Sequence, residues 1–245
     1  MTGLKQWLQR RLDAHGYYIG RLPPASDRLD WHLMAVFERL GINCVLDVGG
    51  HYGEYGTLLR DAGYSGRIVT FEPASANLPL LTERSRADPN WLIMPFALGA
   101  SAGRANLRVA DATQLSSMRD TNEYGRQQFG NKLEAHEIEE VEVRTLDDVF
   151  DDCTRGIRQP RVYLKMDTQG WDREVIRGAG TRLDRIPALQ SELAVHPIYE
   201  GMPDYLEFIT YLNELGFELS GVFPVTVDRD LLAIELDCIM VRPPE

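Results

Sequence analysis

The sequence has little cysteine, and its apolar stretches are short. The three cysteines, Cys44, Cys153 and Cys238, lie far apart with no CxxC or Cys-His spacing, so neither a disulfide framework nor a zinc site is predicted. No apolar run approaches the roughly 20 residues that a membrane span requires, and residues 1–16 lack the apolar core of a signal peptide. These absences make the reducing cytoplasm the expected location.

The sequence also has fewer basic than acidic residues. It carries 26 Lys and Arg against 37 Asp and Glu, a formal net charge of -11, and no block of basic residues. Because phosphate binding needs a basic surface, nucleic acid is not the expected partner. The length of 245 residues and the hydrophobic content of 44% are compatible with one α/β domain that has a full core.

A glycine-rich turn follows an apolar strand in the segment NCVLDVGGHYGEY, residues 43–55. Glycines let the backbone bend sharply and approach a ligand that a Cβ would exclude. A dinucleotide-binding turn would read GxGxxG, but His51 and Glu54 stand where its second and third glycines would be. A carboxylate at position 54 is unfavourable for a pyrophosphate and tolerable for a cofactor without phosphate.

A second apolar strand carries another acidic residue. Residues 67–71 are followed by Glu72 and Pro73, and a carboxylate at the tip of the second strand of such a unit accepts hydrogen bonds from ribose hydroxyls. The two features together favour S-adenosylmethionine, which has an adenosine and a sulfonium but no phosphate. The alternatives are a turn without a ligand, a nicotinamide-dependent oxidoreductase, and a non-catalytic protein with a cofactor-binding fold.

Short apolar strands alternate with helical patterns along most of the chain. This pattern predicts an α/β fold with a mostly parallel seven-stranded sheet, helices on both faces and a C-terminal antiparallel hairpin at 218–225 and 234–241. Class I methyltransferases have this Rossmann-like arrangement. The other predicted elements are strands at 43–48, 67–71, 91–95, 106–109, 141–143, 161–166 and 187–195, and helices at 30–40, 54–62, 75–86, 171–177 and 205–215.

Two regions lie outside this alternation. Leu4, Trp7, Leu8 and Leu12 recur at helical spacing, which predicts an amphipathic helix that packs over the cleft or the sheet, or contacts a lipid-linked substrate or a membrane. We therefore predict a helical cap at 1–40 and a methyltransferase domain at 41–245. The polar stretch 111–140 lacks apolar periodicity and predicts either a lid over the substrate or a surface insertion.

Several motifs occur in a fixed order between residues 43 and 241: LDVGGHYGEY, TFEPASANLPLL, ALG (97–99), SSM (116–118), RTLDDVF, LKMDTQGWDREVIRGA, ELAVHPIYEG and LDCIMV. In sequence and order they resemble the FkbM family of S-adenosylmethionine-dependent methyltransferases. One departure is that the family's turn usually carries Ala-Asn where this chain has Gly50 and His51. The resemblance implies methylation of a hydroxyl group, commonly on a sugar of a glycolipid, polysaccharide or natural product.

The glycine turn, the tip of the second strand and the ALG motif supply the residues that we predict to bind the cofactor. These are Asp47, Gly49, His51, Gly53, Tyr55, Glu72, Pro73 and Ala97. For Asp47, a purely structural role in supporting the turn is the alternative.

Later strand tips supply the predicted catalytic residues, Asp167, Glu192 and His196. Transfer of a methyl group to a hydroxyl needs a group that removes the proton. Because histidine titrates near about pH 6.5 and aspartate near about pH 3.9, we predict that His196 is the base and that Asp167 orients the acceptor. Asp167 as the base is the alternative.

Lys165 shares a strand face with Asp167. A buried charge needs a partner, and Glu192 on a neighbouring strand is one candidate. Asp167 and Glu192 could also bind a divalent cation, but no DxD or HxH spacing supports this, and no metal site is predicted. The expected partner is a small-molecule, glycan or glycolipid acceptor.

Overall fold

The computed structural model describes residues 29–243, and the amphipathic helix predicted near the N-terminus lies outside them. The helices in this range are α1 (Leu29–Leu40), α2 (Glu54–Asp61), α3 (Leu78–Ser85), α4 (Glu123–Phe129), α5 (Leu146–Cys153), α6 (Asp172–Gly178) and α7 (Tyr205–Glu214), with 3₁₀ turns at Thr113–Leu115, Gly130–Leu133 and Gly180–Arg185. The strands are β1 (Cys44–Val48), β2 (Arg67–Phe71), β3 (Trp91–Met94), β4 (Ala97–Leu98), β5 (Gly103–Ala110), β6 (Ala135–Arg144), β7 (Val162–Met166), β8 (Ala188–Ala194), β9 (Glu218–Val227) and β10 (Ala233–Val241).

Seven strands form one sheet in the order β3-β2-β1-β7-β8-β10-β9. The pairs from β3 to β8 are parallel, whereas β10 runs antiparallel to both β8 and β9. The predicted mostly parallel sheet with a C-terminal hairpin is confirmed. Its consequence for function is that the carboxyl ends of β1, β2, β7 and β8 meet at one edge.

Helices cover both faces of this sheet, as predicted. Leu46 and Leu164 lie in a core with α5, α6 and α7, and Val45 and Tyr163 lie in a second core with α1, α2 and α3. Every residue of β1 and β7 is buried, which is typical of a parallel sheet covered on both sides. Successive side chains of a strand point to opposite faces of the sheet. Asp47 in β1 and Lys165 in β7 therefore lie on the same face as Val45 and Tyr163.

The polar stretch 111–140 is folded and contains α4 and the first half of β6. β5 and β6 pair antiparallel and, with β4, form a separate three-stranded sheet. Both strands are longer than the predicted 106–109 and 141–143. Much of β6 is exposed and polar, with Val141 and Val143 buried, so a search for apolar runs finds only its end.

Candidate active site

The turn after β1 lies against the turn after β7. Gly49 has a φ of +78°, and a Cβ at this position would overlap the backbone carbonyl of Asp167. Gly53 has a φ of +88°, but a Cβ there would lie 2.9 Å from Leu81 and 3.1 Å from Trp91. Gly53, which we predicted to bind the cofactor, therefore serves the packing of α2 and lines neither of the two cavities described below.

Glu72, at the tip of β2, holds this turn in place. Its Oε2 accepts the backbone N–H of His51 (2.8 Å), and its Oε1 accepts the N–H of Ala74 (2.8 Å) and the side-chain amide of Asn77 (3.2 Å). Burial raises the pKa of Glu72 to about 7, although these three donors oppose the shift. A carboxylate accepts up to about four hydrogen bonds, so Glu72 can still accept one from a hydroxyl group.

His51 occupies the left-handed backbone region, with a φ of +49°. Asn, Asp and His are the residues with a side chain that adopt this region most readily, which explains why histidine can stand where the family usually has asparagine. Its Nε2 lies 2.7 Å from the hydroxyl of Thr113. Burial lowers the pKa of His51, so the ring is uncharged at neutral pH.

A first cavity, of about 580 Å³ including the solvent at its mouth, opens at the tips of β1, β2 and β7. Its apolar wall includes Phe71, Pro73, Ala97, Leu98, Leu107 and Trp171. Its polar groups include Glu72, Asn77, Asp167 and Gln169.

A second cavity lies on the other side of the glycine turn, against α1 and α2. Its wall includes Leu33, Tyr55, Lys165, Gln190 and Asp237. Burial raises the pKa of Asp237 to about 6. Four residues line both cavities: Gly49, His51, Gln114 and Asp167. Among the described residues, Asp167 is thus the one carboxylate that faces both cavities.

A buried ion pair lies behind Asp167. The Nζ of Lys165 is 3.2 Å from Oδ1 of Asp47 and 3.6 Å from Oδ2 of Asp167. The first contact is ionic, because no hydrogen bond with favourable angles reaches Oδ1 of Asp47. Burial would lower the pKa of Lys165, but the two carboxylates raise it above its usual value, so the ammonium stays charged.

The ion pair is tied to the core through Asp47, which is fully buried. Its Oδ2 accepts the hydroxyl of Thr70 (3.1 Å), and that hydroxyl accepts the indole N–H of Trp91 (2.9 Å). Asp47 lines neither cavity. Lys165 does not pair with Glu192, because the register places Gln190 beside it.

Gln169 connects Asp167 to Glu192. Its Nε2 donates to both carboxylates at 3.0 Å, and its Oε1 accepts the hydroxyl of Tyr199 at 2.9 Å. Burial and the neighbouring Asp167 raise the pKa of Glu192 well above its usual range, which favours the protonated form. Gln169 has a φ of +52°, a strain that functional sites commonly hold. We did not predict a role for Gln169, although the DTQG motif contains it.

His196 lies away from both cavities. β8 ends at Ala194, so the strand face that carries Glu192 does not continue to position 196. The His196 side chain is exposed, with its ring centroid 5.2 Å from that of Tyr124. Of the two groups considered as the base, the structure places Asp167 in the site and His196 outside it.

Residues 113–119 cross the strand tips and are held there by hydrogen bonds. The hydroxyl of Ser117 donates to the carbonyl of Gln169 (2.7 Å), and the guanidinium of Arg119 donates to the carbonyls of Gly170 (2.7 Å) and Glu200 (3.1 Å). The SSM motif lies in this segment, and its second serine anchors one wall of the first cavity.

Two features are absent from residues 29–243. No group of three or more His, Cys, Asp or Glu side chains is arranged to hold a metal ion. None of the helices in this range is long and apolar enough to cross a membrane.

A sequence model of the methyltransferase FkbM domain matches residues 47–219. The chain belongs to the FkbM methyltransferase family. Its cofactor is S-adenosylmethionine. No curated protein sequence gives a significant match.

Solved structures that resemble this FkbM protein include the following three, each with a TM-score of 0.45. Magnesium protoporphyrin IX methyltransferase from Synechocystis, with bound S-adenosylmethionine, is 10% identical, and the match covers 98% of this chain and 97% of that one. An rRNA methylase from Streptococcus thermophilus is 12% identical, with 86% and 96% covered. Fibrillarin from Aeropyrum pernix, with bound S-adenosylmethionine, is 13% identical, with 85% and 74% covered.

The first cavity fits the cofactor of the FkbM family. Glu72 stands at the strand tip where ribose hydroxyls bind in such folds, and the apolar wall suits a nucleobase. Of the eight residues predicted to bind the cofactor, five line this cavity, Tyr55 lines the second, and Asp47 and Gly53 line neither. The five are Gly49, His51, Glu72, Pro73 and Ala97.

Proposed function

We propose that this FkbM protein is an O-methyltransferase that methylates a hydroxyl group on a sugar of a glycolipid, polysaccharide or natural product. The observation that supports this most directly is the position of Asp167 between the two cavities. In this proposal the first cavity holds the cofactor, which supplies the methyl group, and the second receives the acceptor. The polar groups of the second cavity, from Tyr55, Gln190 and Asp237, suit an acceptor rich in hydroxyls.

Asp167 is the proposed base. An acceptor hydroxyl must lose its proton as the new bond forms, and a positioned proton acceptor contributes about 10²–10⁴-fold to the rate. The side chain of Asp167 is 42% exposed, so an acceptor can reach it. Lys165 contacts one of its oxygens and Gln169 donates to the other. These contacts hold the carboxylate of Asp167 in one orientation.

Glu192 has a supporting role in this proposal. It contacts Gln169 rather than a cavity, and its favoured protonated form is a poor proton acceptor. It orients Gln169, which in turn orients Asp167.

Methyl transfer from labelled S-adenosylmethionine to a panel of glycans tests the proposal. Asp167→Asn should lower the rate by about 100-fold or more and change cofactor affinity, measured by calorimetry, by less than about threefold. His196→Ala is the matched control and should keep a rate within about threefold of wild type. Loss of both affinity and rate in Asp167→Asn would indicate misfolding, and methylation of amines but not of hydroxyls would refute the proposed chemistry.

A further inference from the structure

The turn between β9 and β10 presents two leucines to solvent. Leu231 is 82% exposed and Leu232 is 58% exposed, and Val225 and Val227, at the adjoining end of β9, are each 50% exposed. Single exposed apolar residues are ordinary, but a contiguous group of them commonly marks an interaction surface. We call residues 225–232 the apolar tip.

The apolar tip lies at the same edge of the sheet as the candidate active site. β10 runs antiparallel to β8, and Glu235 near its start lies opposite Ala194 at the end of β8. Asp237, two residues further along β10, lines the second cavity. The apolar tip therefore lies beside the cavity that is proposed to receive the acceptor.

The backbone of the turn holds the leucines in one conformation. Oδ1 of Asp228 accepts the N–H groups of Asp230 and Leu232, both at 2.9 Å. The backbone N–H of Asp228 also donates to the carbonyl of Leu232 at 2.9 Å. Leu231 has a φ of +64°, which is unfavourable for leucine. A fixed turn with a strained, exposed leucine at its end is suited to insertion into an apolar phase.

We propose that the apolar tip inserts into the surface of a lipid bilayer and so brings the second cavity to sugars carried by lipids. This proposal rests on the proposed function, since it takes the acceptor to be lipid-linked. Burial of apolar area favours insertion, and four aliphatic side chains give a weak and reversible contact of the kind made by peripheral proteins. Because the net charge is -11, a zwitterionic bilayer is expected to bind better than an anionic one.

A second copy of the chain fits the apolar tip less well than a bilayer does. Each partner in a stable interface buries about 800 Å², and four partly exposed aliphatic side chains at the end of a hairpin offer far less area. Asp228, Arg229 and Asp230 adjoin the leucines. Such charged neighbours suit a headgroup layer, whereas interface cores are depleted of charge.

Sedimentation of the full chain with phosphatidylcholine vesicles tests the proposal. The bound fraction should fall by about tenfold or more in the variant Leu231→Asp/Leu232→Asp. Leu219→Asp is the matched control: Leu219 lies on β9, is 47% exposed, and pairs with Met240 at the opposite end of the sheet. It should bind vesicles as wild type does.

Three results would overturn the proposal. The first is that the wild-type chain does not bind the vesicles. The second is that the bound fraction falls equally in the tip variant and in the Leu219 control. The third is a wild-type dimer, seen by light scattering, that the tip variant dissociates, because the apolar tip would then be an interface between copies. Vesicle binding needs no turnover, so its failure is distinct from a failure of methyl transfer. The tip variant should still methylate a water-soluble glycan acceptor within about twofold of the wild-type rate.

Discussion

Replacing Lys165 by methionine should destabilise the protein more than most single substitutions do. The change removes the ammonium and leaves the carboxylate of Asp47 fully buried, with the hydroxyl of Thr70 as its remaining donor. Removing one partner of a buried ion pair costs about 3–5 kcal/mol. We expect the free energy of unfolding, measured by urea denaturation at pH 7, to fall by that amount.

The double variant Asp47→Asn/Lys165→Met separates the effect of charge from that of packing. Replacing both members of a buried pair by neutral groups is commonly neutral or stabilising, so its loss should stay below about 2 kcal/mol. Asp47→Asn alone should cost less than Lys165→Met, because Lys165 keeps its contact with Asp167.

An exposed ion pair provides the control for this reasoning. Arg104 and Glu140 lie 3.0 Å apart with side chains 65% and 62% exposed, and such pairs contribute about 0–1 kcal/mol. Arg104→Met should therefore change the free energy of unfolding by no more than that. Equal losses for Arg104→Met and Lys165→Met would refute the claim that Lys165 neutralises a buried carboxylate.

Three further outcomes are expected. Burial raises the pKa of Glu72 from 4.5 to about 7, so Glu72 favours folding most below pH 4.5. The unfolding free energy of wild type, relative to that of Glu72→Gln, should therefore fall by roughly 3 kcal/mol as the pH rises to 7. A difference that does not depend on pH would contradict this. His51→Asn should keep thermal stability because asparagine adopts the left-handed region, whereas His51→Val should lose about 1–2 kcal/mol. Gly53→Ala should destabilise the protein more than Gly63→Ala. Both glycines have a positive φ, but a Cβ at Gly63 meets open space. Equal losses of stability in thermal denaturation would mean that backbone strain alone accounts for the cost.

The fold and the glycine turn after β1 could be predicted because each is specified by neighbouring residues. Short apolar strands, glycines and acidic strand tips are local patterns, and the structure has the sheet that they imply. The partners of Lys165 depend instead on which strands become neighbours. β1 and β7 are separated by more than 110 residues of sequence, yet their register places Lys165 beside Asp47, and no local pattern contains that information.

The position of His196 was harder to predict for a related reason. His196 would share a strand face with Glu192 only if the strand continued to position 196, but β8 ends at Ala194. Gln169 was overlooked because glutamine is no acid or base. Its importance comes from bonding two carboxylates and a phenol at once, which only the folded chain reveals.

Lys165 connects the glycine turn after β1 to the proposed base. Its ammonium contacts the carbonyl of Gly49 (3.4 Å), the buried carboxylate of Asp47 and the exposed carboxylate of Asp167. The carbonyl of Gly49 in the glycine turn and the group proposed to take the acceptor proton are thus held by one charge. The pair with Asp47 is anchored in the core through Thr70, so the ammonium has a fixed position from which it can orient both. This arrangement explains why a strand buried on both faces carries a lysine at this position.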